Sequence, residues 1–306
     1  MPHVATEPWL WRRTLRAATL ISCIALAGGC AAARPERSAR PADDIFVRRD
    51  MVYADRSGEA LHADVYSPLS DGPFPGVLVV HGGSWQRGNK ARMRRIAERL
   101  ARHGYVAVSI DYRLAPAHRY PTQLQDCQDA VRWMRRNAPS LRVDPTRIGG
   151  FGYSAGAHLV ALLATTDPAG SRDVASRGTP EDTRLQAAVI GAAPTDLRRF
   201  RPNVVFNRLL GGPPDQRPEL YATASPITFV TPDDPPMFLY HGAHDWGVDP
   251  SQSQIMVDAL RRAHVPVEYY ETRGGHVTTF LFDGDEVRHA LAFLDRWLKE
   301  PPHVAL

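Results

Sequence analysis

A serine framed by small residues, in the sequence GYSAG at positions 152–156, has the setting of an enzymatic nucleophile. The strand-like segment RIGGF precedes it and the helix-like segment AHLVALL follows it. A strand-to-helix turn of this kind is sharp, and Gly152 and Gly156 let the strand and the helix approach each other. Ser154 is then held in a strained backbone conformation. The pattern predicts that Ser154 is a nucleophile.

A base and an orienting acid must accompany such a serine, because its hydroxyl is a poor nucleophile at neutral pH. Asp245 follows the apolar run PPMFLYHG, and His276 follows the strand-like VPVEYYE on a glycine-flanked loop, TRGGH. Both lie just past the carboxyl ends of predicted strands, where parallel sheets carry their ligands. We therefore predict that Ser154, Asp245 and His276 form a catalytic triad.

Other candidates for the acid and the base fit less well. Asp249 is the alternative acid, but it directly precedes Pro250 and has the setting of a helix cap. His158 lies one turn after Ser154 on the same helix, so we predict a structural role for it. The remaining downstream candidates lie at a helix end, within a helix and in the tail, namely His264, His289 and His303.

The pair His241 and His244 beside Asp245 resembles the start of a metal site. No further cluster of ligands accompanies it, however, and a zinc site normally needs three or four. We predict no metal and no cofactor.

HGGSW at positions 81–85 ends an earlier buried strand and is similar to the HGGG loop that builds oxyanion holes. We expect the backbone N–H groups of Gly83 and Ser84 to act as donors, together with Ala155 at the helix N-terminus. Ser84 replaces the third glycine of HGGG. Its N–H remains a donor, while its side chain narrows the pocket.

The substrate pocket is the least defined part of the sequence. Residues 194–234 lie between two predicted core strands, and we expect them beside the acyl group; a packed surface excursion is the alternative. The candidate pocket residues are Trp85, Tyr153, Phe200 and Phe206. A long apolar N-terminal cap is missing from the domain, so we expect short acyl groups.

Apolar strand-like runs alternate with amphipathic helical patterns, which predicts a parallel sheet with helices on both faces. We predict one α/β domain over residues 45–300. The predicted strands cover residues 46–53, 61–66, 76–82, 105–112, 147–154, 185–193, 235–242 and 265–271. The predicted helices cover residues 89–103, 122–137, 155–165, 250–264 and 285–298.

Residues 1–29 have the plan of an export signal, with an arginine patch, an uncharged run AATLISCIALAGG and small residues before Cys30. The LAGGC sequence is similar to a bacterial lipoprotein signal, which predicts lipidation of Cys30 and attachment to a membrane, facing the periplasm or cell surface. Cys23 is a weaker acylation candidate. A plain secretory signal or an uncleaved anchor is the alternative. Residues 30–44 are polar and proline-containing, as expected of a tether.

The charge of the chain argues against nucleic acid as a partner. The 306 residues carry a formal charge of +4, and loss of three arginines and one glutamate with the signal reduces it to +2. The remaining positive charges are interspersed with acidic residues. We expect a small-molecule ester as the substrate, and the sequence does not define an oligomeric state.

The order of these motifs, together with DYRLAP at 111–116 and SPITFVTPDDPP at 225–236, resembles the α/β-hydrolase superfamily. It is similar to the carboxylesterase branch that includes hormone-sensitive-lipase-like enzymes and bacterial feruloyl and acetyl esterases. The resemblance covers roughly residues 45–298. It implies a mostly parallel, eight-stranded sheet and a serine hydrolase without a cofactor.

These features predict hydrolysis of short-chain esters, acetyl or aryl-acyl, with esters on carbohydrate among them, through an acyl-enzyme. Ser84 and Ala157 also resemble kynurenine formamidases, so an amide hydrolase of that type is the alternative. A peptidase of related fold and a non-catalytic binding lipoprotein are further alternatives.

Overall fold

The computed structural model describes residues 44–56, 58–166, 178–281 and 284–299. The predicted signal, Cys30, nearly all of the predicted tether and His303 lie outside the described residues.

A mixed sheet of eight strands forms the centre of the described structure, in the order β1-β2-β4-β3-β5-β6-β7-β8. The first two strands, and the pair β2 and β4, run antiparallel, whereas all other neighbours run parallel. The strands are β1 (Ile45–Arg56), β2 (Glu59–Pro68), β3 (Phe74–Val80), β4 (Val106–Ile110), β5 (Val143–Tyr153), β6 (Ala188–Gly191), β7 (Met237–Gly242) and β8 (Val267–Thr272).

Helices connect the strands and cover both faces of the sheet. They are α1 (Arg94–Arg102), α2 (Thr122–Arg136), α3 (Ala138–Leu141), α4 (Ala155–Thr165), α5 (Val204–Leu210), α6 (Pro218–Thr223), α7 (Ser251–Arg262), α8 (His276–Leu281) and α9 (Asp285–Leu294). Short 3₁₀ turns span Lys90–Met93, Leu197–Arg199 and Pro226–Phe229, and a π-helical turn spans Asp295–Lys299.

Two apolar clusters hold these layers together. Helices α2, α4 and α7 pack on one face of the sheet, through residues such as Met134, Leu159 and Met256. On the other face, α1 and α9 pack through residues such as Leu100 and Leu291. Strand β3 is buried on both faces, which explains its uninterrupted apolar sequence. Within the described ranges, no helix is both long and apolar enough to cross a membrane.

The predicted eight-stranded, mostly parallel α/β sheet with helices on both faces is confirmed. The first strand begins at Ile45, where the domain was predicted to start, and the predicted helix 122–137 corresponds to α2. One local expectation is wrong: His276 does not lie in a loop but begins the short helix α8. The two glycines before it are loop residues, and the helix starts directly after them.

Strands β3, β5, β7 and β8 all end at the same edge of the sheet because they run parallel. The chain leaves that edge into HGGSW after β3, into Ser154 after β5, towards Asp245 after β7 and towards His276 after β8. The fold therefore brings the predicted site residues to one edge.

Candidate active site

The turn that carries Ser154 is strained and tightly packed. Ser154 has φ 55° and ψ −122°, in the left-handed half of backbone space. A Cβ on Gly152 would lie 2.4 Å from the Gly156 carbonyl oxygen, and a Cβ on Gly156 would lie 2.1 Å from that of Val80. Only glycine fits at either position, so the sequence GYSAG holds the serine above the end of β5 as predicted from its spacing.

The structure places His276 between Ser154 and Asp245. The His276 Nε2 atom is 2.8 Å from the Ser154 Oγ, and its Nδ1 is 2.6 Å from the Asp245 Oδ2. An ionised carboxylate only accepts hydrogen bonds, so the Nδ1 carries the proton and donates it to Asp245. The Nε2 is then free to accept the hydrogen of the Ser154 hydroxyl. This is the arrangement that a general base requires.

Asp245 is a buried carboxylate surrounded by donors. Its Oδ1 accepts the backbone N–H groups of Gly247 and Val248, both at 2.8 Å. Burial by itself opposes ionisation, but hydrogen bonds from His241, His276 and the Val248 N–H outweigh it and lower the pKa of Asp245 below its ordinary value. Asp245 therefore stays ionised at neutral pH.

Asp249, the alternative acid, binds the backbone at the beginning of α7. Its Oδ1 accepts the backbone N–H of Ser251 at 2.9 Å, at the beginning of α7. The hydrogen bond of His276 goes to Asp245 instead.

The loop HGGSW bends sharply beside Ser154. Gly83, Ser84 and Trp85 have φ values of 134°, 56° and 57°. A Cβ on Gly83 would lie 1.8 Å from the Arg87 carbonyl oxygen, so this glycine is required. The Gly83 carbonyl accepts the N–H groups of Gln86 and Arg87, which closes the turn.

The three predicted oxyanion donors have free backbone N–H groups. Within the described ranges, no acceptor is recorded for the N–H of Gly83, Ser84 or Ala155. A Cβ on Gly82 would lie only 3.2 Å from the Ser154 Cβ, so the loop passes directly beside the serine. Ala155 is the first residue of α4, where a helix has unpaired donors.

His81 and Tyr112 support this loop, a role that their sequence positions did not indicate. Their rings stack with a centroid distance of 4.3 Å, and the Tyr112 hydroxyl donates to the His81 carbonyl oxygen at 3.0 Å. Burial lowers the pKa of His81 to about 4, so the ring is neutral. The available signal was the DYRLAP motif, which contains Tyr112.

Three of the four candidate pocket residues cluster together. The ring of Phe206 lies 4.9 Å from that of Phe200 and 5.8 Å from that of Trp85, measured between centroids. All three belong to the apolar cluster on the α4 face of the sheet. Phe200 and Phe206 come from the segment 194–234, so that segment packs against the oxyanion loop rather than forming a separate excursion.

Tyr153, the fourth candidate, does not belong to this group. It packs in the cluster on the opposite face of the sheet, against Tyr240 and Phe280. Successive residues of a strand point to opposite faces, which places Tyr153 beneath the sheet edge. Its hydroxyl donates to the His276 carbonyl oxygen at 2.5 Å. The expectation that Tyr153 lines the pocket is therefore corrected: it anchors the backbone of His276.

His158 is buried as predicted, and it joins α4 to the segment 194–234. Its Nε2 lies 2.7 Å from the Ala224 carbonyl oxygen and donates to it. The ring packs edge-on against Trp85. Burial lowers the pKa of His158 to about 4. The ring is therefore neutral at neutral pH.

The two histidines that suggested a metal lie in different environments. His244 is exposed, and its Nδ1 lies 3.1 Å from the Arg273 carbonyl oxygen, whereas His241 is fully buried. In the part of the chain that the structure describes, no group of three or more histidine, cysteine, aspartate or glutamate side chains could hold a metal ion.

Comparison with known proteins finds a matching family model and several relatives that are named esterases. The BD-FAE family matches residues 63–260. Esterase LipC of Mycobacterium tuberculosis is 31% identical over 272 residues, which is 80% of this chain and 64% of LipC. The chain spans about half to two thirds of the length of the first curated relatives that it matches.

Solved structures with the same architecture are also esterases. A truncated carbohydrate esterase from gut microbiota has a TM-score of 0.75 and 26% identity, covering 85% of this chain and 99% of the other. A butyrate-bound thermophilic esterase of Thermogutta terrifontis has a TM-score of 0.67 and 25% identity, covering 86% and 96%.

The buried His158 predicts acid-sensitive stability. In the unfolded chain a histidine has a pKa of about 6.5, whereas in the fold it is held to about 4. The contribution of the neutral His158 ring to the free energy of unfolding is thus fully present above about pH 6.5 and is lost as the pH falls towards 4. We expect His158→Gln, which keeps an N–H donor but does not titrate, to lose about 2 kcal/mol less unfolding free energy between pH 7 and pH 5 than wild type.

Urea unfolding at the two pH values measures this difference. Exposed His244→Gln is the matched control and should keep the wild-type loss. An equal loss in His158→Gln and wild type would contradict the assignment of His158 as a neutral buried ring.

Proposed function

The chain belongs to the BD-FAE family of α/β-hydrolase carboxylesterases, and from this premise we propose that it is a serine esterase acting on short-chain carboxylic esters. The observation that carries the proposal is the hydrogen-bonded series Ser154, His276 and Asp245, with atom separations of 2.8 and 2.6 Å. A nucleophile, a base and an acid in this order are what acyl transfer needs.

In the proposed reaction His276 transfers two protons, one in acylation and one in deacylation. The His276 Nε2 takes the hydroxyl proton of Ser154 as the Ser154 Oγ attacks the ester carbonyl carbon. The tetrahedral intermediate collapses, the alcohol oxygen leaves with that proton, and an acyl-serine remains. Water then attacks the acyl carbon while the same nitrogen removes a proton from it. The second tetrahedral intermediate collapses, the bond to the Ser154 Oγ breaks, the carboxylic acid leaves, and the proton passes to the Ser154 Oγ. The Nδ1 proton stays hydrogen-bonded to Asp245 throughout.

The negative charge on the substrate oxygen is met by backbone N–H groups. We assign this role to Gly83, Ser84 and Ala155, whose N–H groups have no acceptor within the described ranges. Donors fixed before the reaction stabilise developing charge without reorganising, and each contributes about 3 kcal/mol in well-studied hydrolases.

The proposed substrates carry an acetyl or a small aryl-acyl group, with carbohydrate-borne esters among them. We place the acyl group beside the aromatic rings of Trp85, Phe200 and Phe206, which pack together next to the HGGSW loop. Trp85 is only 2% exposed, so its ring is enclosed by neighbouring residues. A related structure holds butyrate, and another is a carbohydrate esterase, which supports the same substrate class.

We also propose that the chain is exported and attached to a membrane through a lipidated Cys30. The support is the sequence alone: an arginine patch, an uncharged run and LAGGC, followed by a polar segment. The catalytic domain would then act on esters outside the cytoplasm, in the periplasm or at the cell surface.

Loss of the nucleophile should abolish activity. Ser154→Ala removes the attacking oxygen while keeping the fold of the turn, so we expect the kcat for p-nitrophenyl acetate to fall by roughly 10⁴-fold or more. A fluorophosphonate probe should label wild type on Ser154 and leave the variant unlabelled. Wild-type turnover in the variant would overturn the proposal, and an unlabelled wild type would favour the binding-protein alternative.

The aromatic cluster of Trp85, Phe200 and Phe206 should limit the length of the acyl group that the site accepts. Between p-nitrophenyl butyrate and the octanoate we expect kcat/KM to fall roughly tenfold or more, because the longer chain meets the Phe206 ring. Phe206→Ala should restore part of the octanoate activity relative to acetate. A preference for long chains, or an unchanged ratio in Phe206→Ala, would contradict this assignment. N-formylkynurenine, tested in parallel, should be a poorer substrate than aryl acetates.

Lipidation should depend on one cysteine. In a bacterial host, wild type should incorporate labelled palmitate and sediment with membranes, whereas Cys30→Ser should do neither. Cys23→Ser is the matched control and should behave as wild type. Incorporation that survives Cys30→Ser but not Cys23→Ser would move the acylated residue to position 23, contrary to the proposal.

A further inference from the structure

A second histidine contacts the carboxylate of Asp245. His241 lies near the end of β7 and is fully buried. Its Nε2 is 3.2 Å from the Asp245 Oδ2, the oxygen that also accepts from His276. The same Nε2 is 2.9 Å from the Val248 carbonyl oxygen. The mechanism above does not use this ring.

The contacts of His241 determine which ring nitrogen carries a proton. Its Nε2 faces two acceptors, the Val248 carbonyl and the ionised Asp245, so this nitrogen must be an N–H donor. The Nδ1 lies 2.7 Å from the Ser253 Oγ. A hydroxyl can donate to an unprotonated nitrogen, so Ser253 completes a neutral ring with its proton on Nε2.

We propose that His241 is a positioning residue that holds the Asp245 carboxylate in the orientation needed by His276 and supplies it with a fixed N–H donor. The inference rests on the proposed esterase function. It extends the triad into a series in which Ser253 fixes His241, His241 fixes Asp245, and Asp245 fixes His276.

This donor has an electrostatic consequence as well as a geometric one. Each N–H that binds a carboxylate draws charge from it and makes it a weaker partner for an imidazolium. Asp245 already accepts two backbone N–H groups on Oδ1, so His241 and His276 share Oδ2. Without the His241 donor, Asp245 would hold more negative charge towards His276 and favour its protonated form.

The groups that surround His241 determine whether a pH-dependent effect on His276 can be attributed to the contact between His241 and Asp245. Asp245 faces the ring from the loop after β7, and Ser253 faces it from α7. Asp249 lies close enough to interact with it electrostatically, and its Oδ1 accepts the backbone N–H of Ser251. His276, at the start of α8, is connected to His241 through Asp245.

Two substitutions at position 241 distinguish the effect of losing the N–H donor from the effect of losing the imidazole ring. Glutamine can place an amide N–H near the position of the Nε2, whereas the shorter asparagine ends near the Nδ1 and cannot reach Asp245. For His241→Asn we expect kcat/KM for p-nitrophenyl acetate to fall roughly tenfold. We also expect the acid limb of its pH profile to move up by about half a pH unit. His241→Gln should stay within about threefold of wild type and keep its acid limb.

Folding of both variants is checked by circular dichroism and by fluorophosphonate labelling of Ser154. An acid limb that does not move in His241→Asn, or that moves equally in His241→Gln, would overturn the positioning role. Wild-type activity is the separate readout for the esterase proposal: an inactive, unlabelled wild type rejects the function, whereas an active wild type with unshifted variants rejects only the role of His241.

A measurement on wild type avoids any effect of substitution on folding. Long-range ¹H–¹⁵N spectra of the labelled histidines report which ring nitrogen carries the proton. We expect the His241 Nε2, which faces Asp245, to carry a proton. A ring protonated on Nδ1 alone could not donate to Asp245 and would overturn the inference.

Discussion

The first turn of α4 lies against the end of β3 with no space for a side chain between them. A Cβ on Gly156 would come within 2.1 Å of the Val80 carbonyl oxygen and 2.6 Å of that of His81. This contact places the helix N-terminus, Ser154 and the HGGSW loop within a few ångströms of one another. The strained backbone of Ser154 is the geometric result of the same approach. A larger residue at position 156 would push the first turn of α4, with Ser154 and Ala155, away from the end of β3.

A buried charge is the second constraint on the site. An isolated carboxylate in a protein interior would become protonated, and a protonated Asp245 could not fix the imidazole of His276. Donors on both oxygens prevent this, two from the backbone of its own loop and two from histidine rings. The loop after β7 thus folds around the Asp245 carboxylate, with two of its backbone N–H groups directed at that charge. This explains why Asp245 fits the role of the acid, whereas the exposed Asp249 binds the nearby N–H of Ser251.

The sequence was sufficient to predict the sheet and to predict that Ser154, Asp245 and His276 come together, because both depend on order along the chain. Apolar runs mark the strands, and Ser154, Asp245 and His276 each follow one of them, so parallel pairing brings them to one edge. The start of α8 at His276 was missed because the glycines before it indicate a loop. The contact of Tyr153 with His276 joins residues 123 positions apart, and the contact of His241 with Asp245 joins residues four positions apart. Neither contact produces a periodic pattern in the sequence. The sequence therefore could not show on which face of the sheet Tyr153 lies or which residue His241 contacts. Ring stacking such as that of His81 on Tyr112 is likewise visible only in three dimensions.

Placement of His276 depends on more than its own strand. Strand β8 lies at the edge of the sheet and is only partly buried, so it constrains the chain that follows it less than an internal strand would. Two hydrogen bonds compensate for this weaker constraint. The N–H of His244 donates to the Gly274 carbonyl, joining the loops that carry the acid and the base. From beneath, the Tyr153 hydroxyl holds the His276 carbonyl. Because Tyr153 directly precedes Ser154, the strand that presents the nucleophile also fixes the backbone of the base. Strand β5 therefore helps to fix the distance between Ser154 and His276, in addition to the edge strand β8.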